Sequence, residues 1–80
     1  MSMKGFGVRV TIRDRDGVPR VQPLVVVARD ERDAERVAAA AAGGDVDAET
    51  LRALTEDEVR DYGLDLGRHG DAKSLPALNF

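Results

Sequence analysis

Residues 7–27 read GVRVTIRDRDGVPRVQPLVVV, and no other stretch restricts the fold as strongly. Val8, Val10 and Ile12 alternate with Arg9, Thr11 and Arg13, the period-two pattern of a half-buried strand. Asp16-Gly17 is a two-residue hairpin signal, because both turn positions need positive φ. A two-residue turn sets Arg15 opposite Val18. It follows that Ile12 faces Val21, Val10 faces Pro23, Val8 faces Val25 and Phe6 faces Val27, an apolar ladder throughout. The other face then pairs Arg13 with Arg20 and Thr11 with Gln22. A slip of one residue would exchange inward for outward side chains.

The same register accounts for the prolines. Pro19 and Pro23 fall in pairs that exchange no hydrogen bonds, so their missing donors cost the hairpin nothing. Only the outer edge of the second strand is blunted. A further strand is therefore expected beside the first strand, whose edge carries no proline.

The next segment, ARDERDAERVAAAAAGG, turns from strand to helix. Asp30 is the N-cap, with Asp33 at the third position as a variant capping box. Glu31, Asp33 and Glu35 place negative charge at the positive end of the helix dipole. Ala34, Val37, Ala38 and Ala41 form one apolar face at helical spacing, and Gly43-Gly44 ends it. Each charged residue here has a structural task, so the segment reads as a joint and not as a site.

Beyond residue 44 the pattern weakens. DAETLRAL reads as a short helix capped by Asp47, with Leu51 and Leu54 inward. Thr55 and Glu58 form a capping box for a second short helix carrying Val59 and Tyr62, ended by Gly63. Leu64 and Leu66 are expected to fold back onto the core. The expected class is thus α+β: an antiparallel hairpin and one main helix (β-β-α), then short helices. Residues 1–66 form a single domain. Residues 67–80, GRHGDAKSLPALNF, form a loosely ordered tail, mobile or docked through Leu75, Leu78 and Phe80.

Eighty residues bury only about 60% of their unfolded surface, which leaves a thin stability margin and favours association. With no cysteine, neither disulfides nor thiolate metal sites help. That composition suits a reducing cytoplasm. The opening MSMKGFG has no apolar run of a signal peptide, and no apolar run is long enough to span a bilayer. The net charge is −3, which gives no electrostatic push toward nucleic acid. It is unevenly spread: eight Lys/Arg stand against six Asp/Glu in residues 1–42, but four against nine in residues 43–80.

No motif names a reaction, a cofactor or a metal. Asp45, Asp47, Glu49 and Glu56 match positions 1, 3, 5 and 12 of a calcium loop, but Thr50 stands where that loop requires glycine. Capping and a solvated acidic face explain the same residues. His69, the single histidine, lies between glycines with no orienting group in view and reads as an exposed loop residue. The one patch with functional promise is cationic: Arg9, Arg13 and Arg20 on the outward face of the hairpin, with Arg15 at its tip. Such a ribbon can contact phosphates, although no aromatic platform accompanies it. The leading expectation is a small non-enzymatic, bacterial-type cytoplasmic protein acting by protein–protein contact, as a homodimer through the first-strand edge. A nucleic-acid-binding module using Arg9, Arg13, Arg15 and Arg20 is the alternative.

Overall fold

The computed structural model describes residues 3–13, 17–44 and 46–75. Strands β1 (Lys4–Arg13) and β2 (Pro19–Ala28) form the antiparallel hairpin. Helix α1 (Glu31–Ala41) follows, then β3 (Asp47–Ala53), α2 (Glu56–Tyr62) and β4 (Ala72–Ser74). The four strands make one antiparallel sheet in the order β3-β1-β2-β4. Because β2 and β3 both run against β1, they are parallel to each other, and α1 is the crossover between them. Neither helix is long and apolar enough to cross a membrane.

The hairpin register differs from the expected one by one residue. Phe6 faces Val26, Val8 faces Leu24 and Val10 faces Gln22, not Val27, Val25 and Pro23. Arg13 faces Pro19, so an odd number of residues connects the strands, which a two-residue turn cannot do. Gly17, with φ of 77°, supplies the left-handed residue that odd loops of this kind need. Arg15 and Asp16 lie outside the described residues.

The slip is tolerated because β2 has apolar side chains on both faces. On one face Phe6, Val8, Val10, Leu24, Val26 and Ala28 pack against Ala34 and Ala38 of α1. On the other, Val25 and Val27 pack with Val59 of α2 and Leu64. Val25, Val26 and Val27 are all fully buried, each contributing roughly 1.5–3 kcal/mol of burial free energy. Small Ala34 and Ala38 let α1 lie close to the sheet. Leu64 folds back as expected, whereas Leu66 is left 38% exposed.

Helix α1 starts at Asp30, whose side chain accepts from Asp33 N at 2.8 Å. It ends with Gly44 N donating to Ala39 O at 2.7 Å, a Schellman-type closure. Helix α2 carries the complete reciprocal box: Glu58 N donates to Thr55 Oγ1, and Thr55 N donates to Glu58 Oε1.

The expected helix at DAETLRAL is instead β3. The first strand's edge carries no proline, and pairing with it satisfies more backbone groups than an isolated helical turn could. In this register Ala48 packs against the α1-side core. A bulge opposite Gly7/Val8 absorbs Leu51. The first-strand edge is therefore occupied within the chain, and the expected homodimer route through it is closed. The outer side of β3 is partly capped as well, because Glu35 of α1 accepts from Thr50 N at 3.0 Å, a device that protects exposed sheet edges.

The prolines act nearly as read. Leu75 N donates to Pro23 O at 3.0 Å, so the backbone groups of Pro23 point away from β1. Strand β4 nevertheless joins this edge, pairing with Leu24–Val26 only, where the proline block ends. Residues 72–74 are thus part of the sheet, and Gly70, Asp71 and Leu75 on either side of them are hydrogen-bonded to β2. Leu78 and Phe80 lie outside the described residues.

Candidate interaction surface

The register decides where the arginines go. Odd-numbered residues of β1 share the α2 side of the sheet, and even-numbered residues share the α1 side. Arg9 and Arg13 therefore stand with Thr11, Val21 and Pro23, while Arg20 lies across the sheet opposite Ile12. The expected single arginine face is split in two. Arg9 is also ion-paired with Glu49, its cross-strand neighbour on β3. Arg15 lies outside the described residues. Arg13 and Arg20, both exposed, stand on opposite faces.

A different feature emerges at the same end of the hairpin. Strand β3 reaches only to Thr11, and β4 stops at Leu24. The last residues of β1 and the first of β2 therefore form a two-stranded arm beyond the four-stranded body. Val21, opposite Thr11 at the base of this arm, and Val18 beyond it are 55% and 58% exposed. At its base, Ile12, Val21, Gln22, Pro23 and Leu75 line a groove of about 270 Å³ together with Arg20. An isolated two-stranded ribbon is marginal in water, so such an arm gains from being covered. Val21 was expected inside, facing Ile12; the one-residue slip is what turns it out.

A second groove, about 520 Å³, lies at the opposite end of β1. Met3, Leu54, Val59 and Leu66 form its apolar walls, Gly5 its floor, and Lys4 and Glu56 stand at it as charges. Glycine at residue 5 lets Val59 and Leu54 pack closely there, because a Cβ would lie 2.7 Å from Val59 Cγ2 and 3.2 Å from Leu54 Cδ1. Behind this groove, Arg52 of β3 holds Glu58 of α2 in an ion pair. That guanidinium, then the Thr55 backbone N–H, keeps the Glu58 carboxyl down at about 2.

His69 is not the unattended loop residue the sequence suggests. Its Nε2 lies 2.8 Å from Asp33 Oδ2. An ionised carboxylate only accepts, so Nε2 carries the proton and donates. Asp33 is nearly buried, 8% exposed, and also accepts from Arg29 N at 2.9 Å. The backbone N–H of Arg29 is the main cause that holds the Asp33 carboxyl at about 2; burial opposes it and the His69 bond adds to it. The variant capping box is thus displaced by one residue, onto Arg29 instead of Asp30. Charge spacing marked Asp33 as helix-dipole complement but gave no sign that a residue 36 positions away would meet it. Neither groove includes Asp33 or His69. The pair acts as a clamp that fixes the loop after Leu64 against the start of α1.

The clamp makes a pH-dependent contribution whose sign follows from the lowered pKa. A depressed carboxyl stabilises the fold above its unfolded value, 3.8, and that contribution is lost as pH falls toward the folded value of about 2. The expected result is that wild type exceeds Asp33→Asn in stability by about 1–2 kcal/mol at pH 6. The gap should close between pH 4 and about 2. Urea titrations of both proteins across that range check it, and a gap independent of pH overturns it.

The calcium reading is not supported by position. Asp47 and Glu49 are on β3 and Glu56 begins α2, with Asp45 outside the described residues. No group of three or more potential metal-ligating side chains converges among the described residues. In comparisons with family models, with curated proteins and with solved structures, nothing matches this chain, so its function has to be read from its own surface.

Proposed function

We propose that this chain is a small non-enzymatic cytoplasmic protein that works by contact with another protein, and that its contact surface is the free end of the β1–β2 hairpin. The observation that carries the reading is the pair of exposed valines, Val18 and Val21, at the hairpin end, which β4 does not reach and where β3 stops at Thr11, the partner of Val21. Large apolar side chains exposed at the end of a hairpin are favoured where a partner removes them from water. The cysteine-free composition suits the reducing compartment. The alternative, nucleic-acid binding through Arg9, Arg13, Arg15 and Arg20, draws less support: Arg9 is engaged by Glu49, and Arg13 and Arg20 face opposite ways.

The test is photo-crosslinking in the producing cell, with a benzophenone side chain at position 18 and, as a control, at exposed Arg36 on α1. Protein adducts from position 18 and none from position 36 are expected. Adducts to nucleic acid from position 18 would move the alternative into first place. The absence of any adduct from position 18 removes the arm as a contact surface.

A further inference from the structure

Among the described residues, three large apolar side chains are strongly exposed: Val18, Val21 and Leu66. They fall at two poles. Val21 faces Thr11 near the end of β1, and Val18 lies beyond it. Leu66 borders the larger groove, whose floor is Gly5 at the beginning of β1. A ten-residue strand is about 30 Å long at ~3.3 Å per residue. In a molecule measuring 40 × 23 × 16 Å, only the long axis accommodates it, so the arm and the groove occupy opposite ends.

We propose that the hairpin arm's partner is a second copy of this chain, whose apolar groove at the far pole receives the Val18–Val21 end, so that copies join head to tail. The proposal rests on the hairpin-end reading above. Three observations carry it. The groove, about 520 Å³ and walled by Met3, Leu54, Val59 and Leu66, matches the arm in polarity. It also has the size of cavities that enclose whole apolar groups. The charges are complementary: Arg13 is exposed on the arm, while Glu56 borders the groove at the start of α2. Lys4 offsets part of that charge, but α2 as a whole holds Glu56, Asp57, Glu58 and Asp61 against Arg60. The split of the chain into a basic first half and an acidic second half gives the same polarity on a larger scale.

Geometry fixes the character of the assembly. The two surfaces differ, so the contact is heterologous, and each added copy leaves one arm and one groove open. The end of the molecule is only 23 × 16 Å across, well below the ~800 Å² per partner of a standard stable interface. Association is therefore weak and strongly dependent on concentration.

Sedimentation velocity from about 10 µM to about 1 mM tests this, a range suited to so small a contact. The unmodified chain should show a mass that keeps rising past the dimer. An arm variant, Val18→Ser with Val21→Glu, and a groove variant, Leu66→Glu, should each lose association by more than about tenfold. All these sites are exposed, and circular dichroism melts matching the wild type confirm that each variant is folded. Mixing the two variants is the decisive step. One intact arm and one intact groove remain between them, so they should form a one-to-one pair that grows no further. A chain that stays monomeric throughout the range overturns the proposal, and so does a dimer that the groove variant leaves intact. In the first case the crosslinking result at position 18 still decides whether a different protein uses the arm. In the second, loss of that dimer in the arm variant shows that the arm is the contact surface but pairs with another arm.

Discussion

Val10→Asp is expected to leave the chain unfolded at room temperature, while Thr11→Asp stays folded. Val10 is fully buried among Phe6, Val8, Leu24 and Val26 beneath α1. A carboxylate there has no partner, and leaving a charge buried and unpaired costs several kcal/mol. A domain of this size has roughly 3–5 kcal/mol of stability in total, so one such residue consumes it. Thr11 points to the other face, is half-exposed, and stands opposite Asp47. A second carboxylate there adds a like-charge cross-strand pair, worth at most about 1 kcal/mol. Melts by circular dichroism distinguish the two outcomes, and equal melting temperatures would refute the burial assigned to β1.

This contrast marks what was legible in the sequence. The alternation from Val8 to Ile12 identified the strand and its buried face without ambiguity, because polar residues intervene at each step. The same rule could not phase β2, since Leu24, Val25, Val26 and Val27 are apolar at every position. An apolar run of this kind is buried on both sides, and either register gives a ladder of apolar pairs. The choice therefore fell to the turn, where Asp16-Gly17 favoured the wrong loop length. The error carried through to function: it placed Val21 in the core and gathered Arg9, Arg13 and Arg20 on one face.

The second half failed for a different reason. DAETLRAL has helix-forming residues and inward leucines at helical spacing, so local preference pointed one way. The open edge of β1 pointed the other, and tertiary pairing overrode propensity. A strand beside β1 was expected from its proline-free edge; which segment would supply it was not. His69 shows the same limit. Its partner Asp33 lies on α1, and a contact of that range leaves no periodic trace. The N-caps of both helices, Asp30 and Thr55, and the capping box of α2 are read correctly, because each spans only three or four residues; the box expected of Asp33 closes on Arg29 instead.

Gly5 is the residue whose role the sequence concealed most, and its replacement gives the second large effect. It faces Val27 across the hairpin on the α2 side of the sheet. A Cβ there would stand 2.7 Å from Val59 Cγ2 and 3.2 Å from Leu54 Cδ1. Val59 cannot retreat cheaply: it is β-branched, so its χ1 is stiff, and it is packed against Val25, Val27 and Leu64. Helix α2 must move instead, and overpacking of this kind costs about 1–3 kcal/mol. Gly5→Ala should therefore remove much of the stability of so small a domain, and Gly5→Val should remove nearly all of it. A plain loss of stability does not by itself identify the clash. Val59→Ala opens space at that point while costing its own burial energy, so the double variant Gly5→Ala/Val59→Ala should be more stable than the sum of the two single changes predicts. Residues in contact commonly couple by 0.5–3 kcal/mol, roughly the size of the effect sought. Urea unfolding of the four proteins measures that coupling. A favourable value of about 1 kcal/mol or more places α2 directly over Gly5; strict additivity would show that the helix does not rest there.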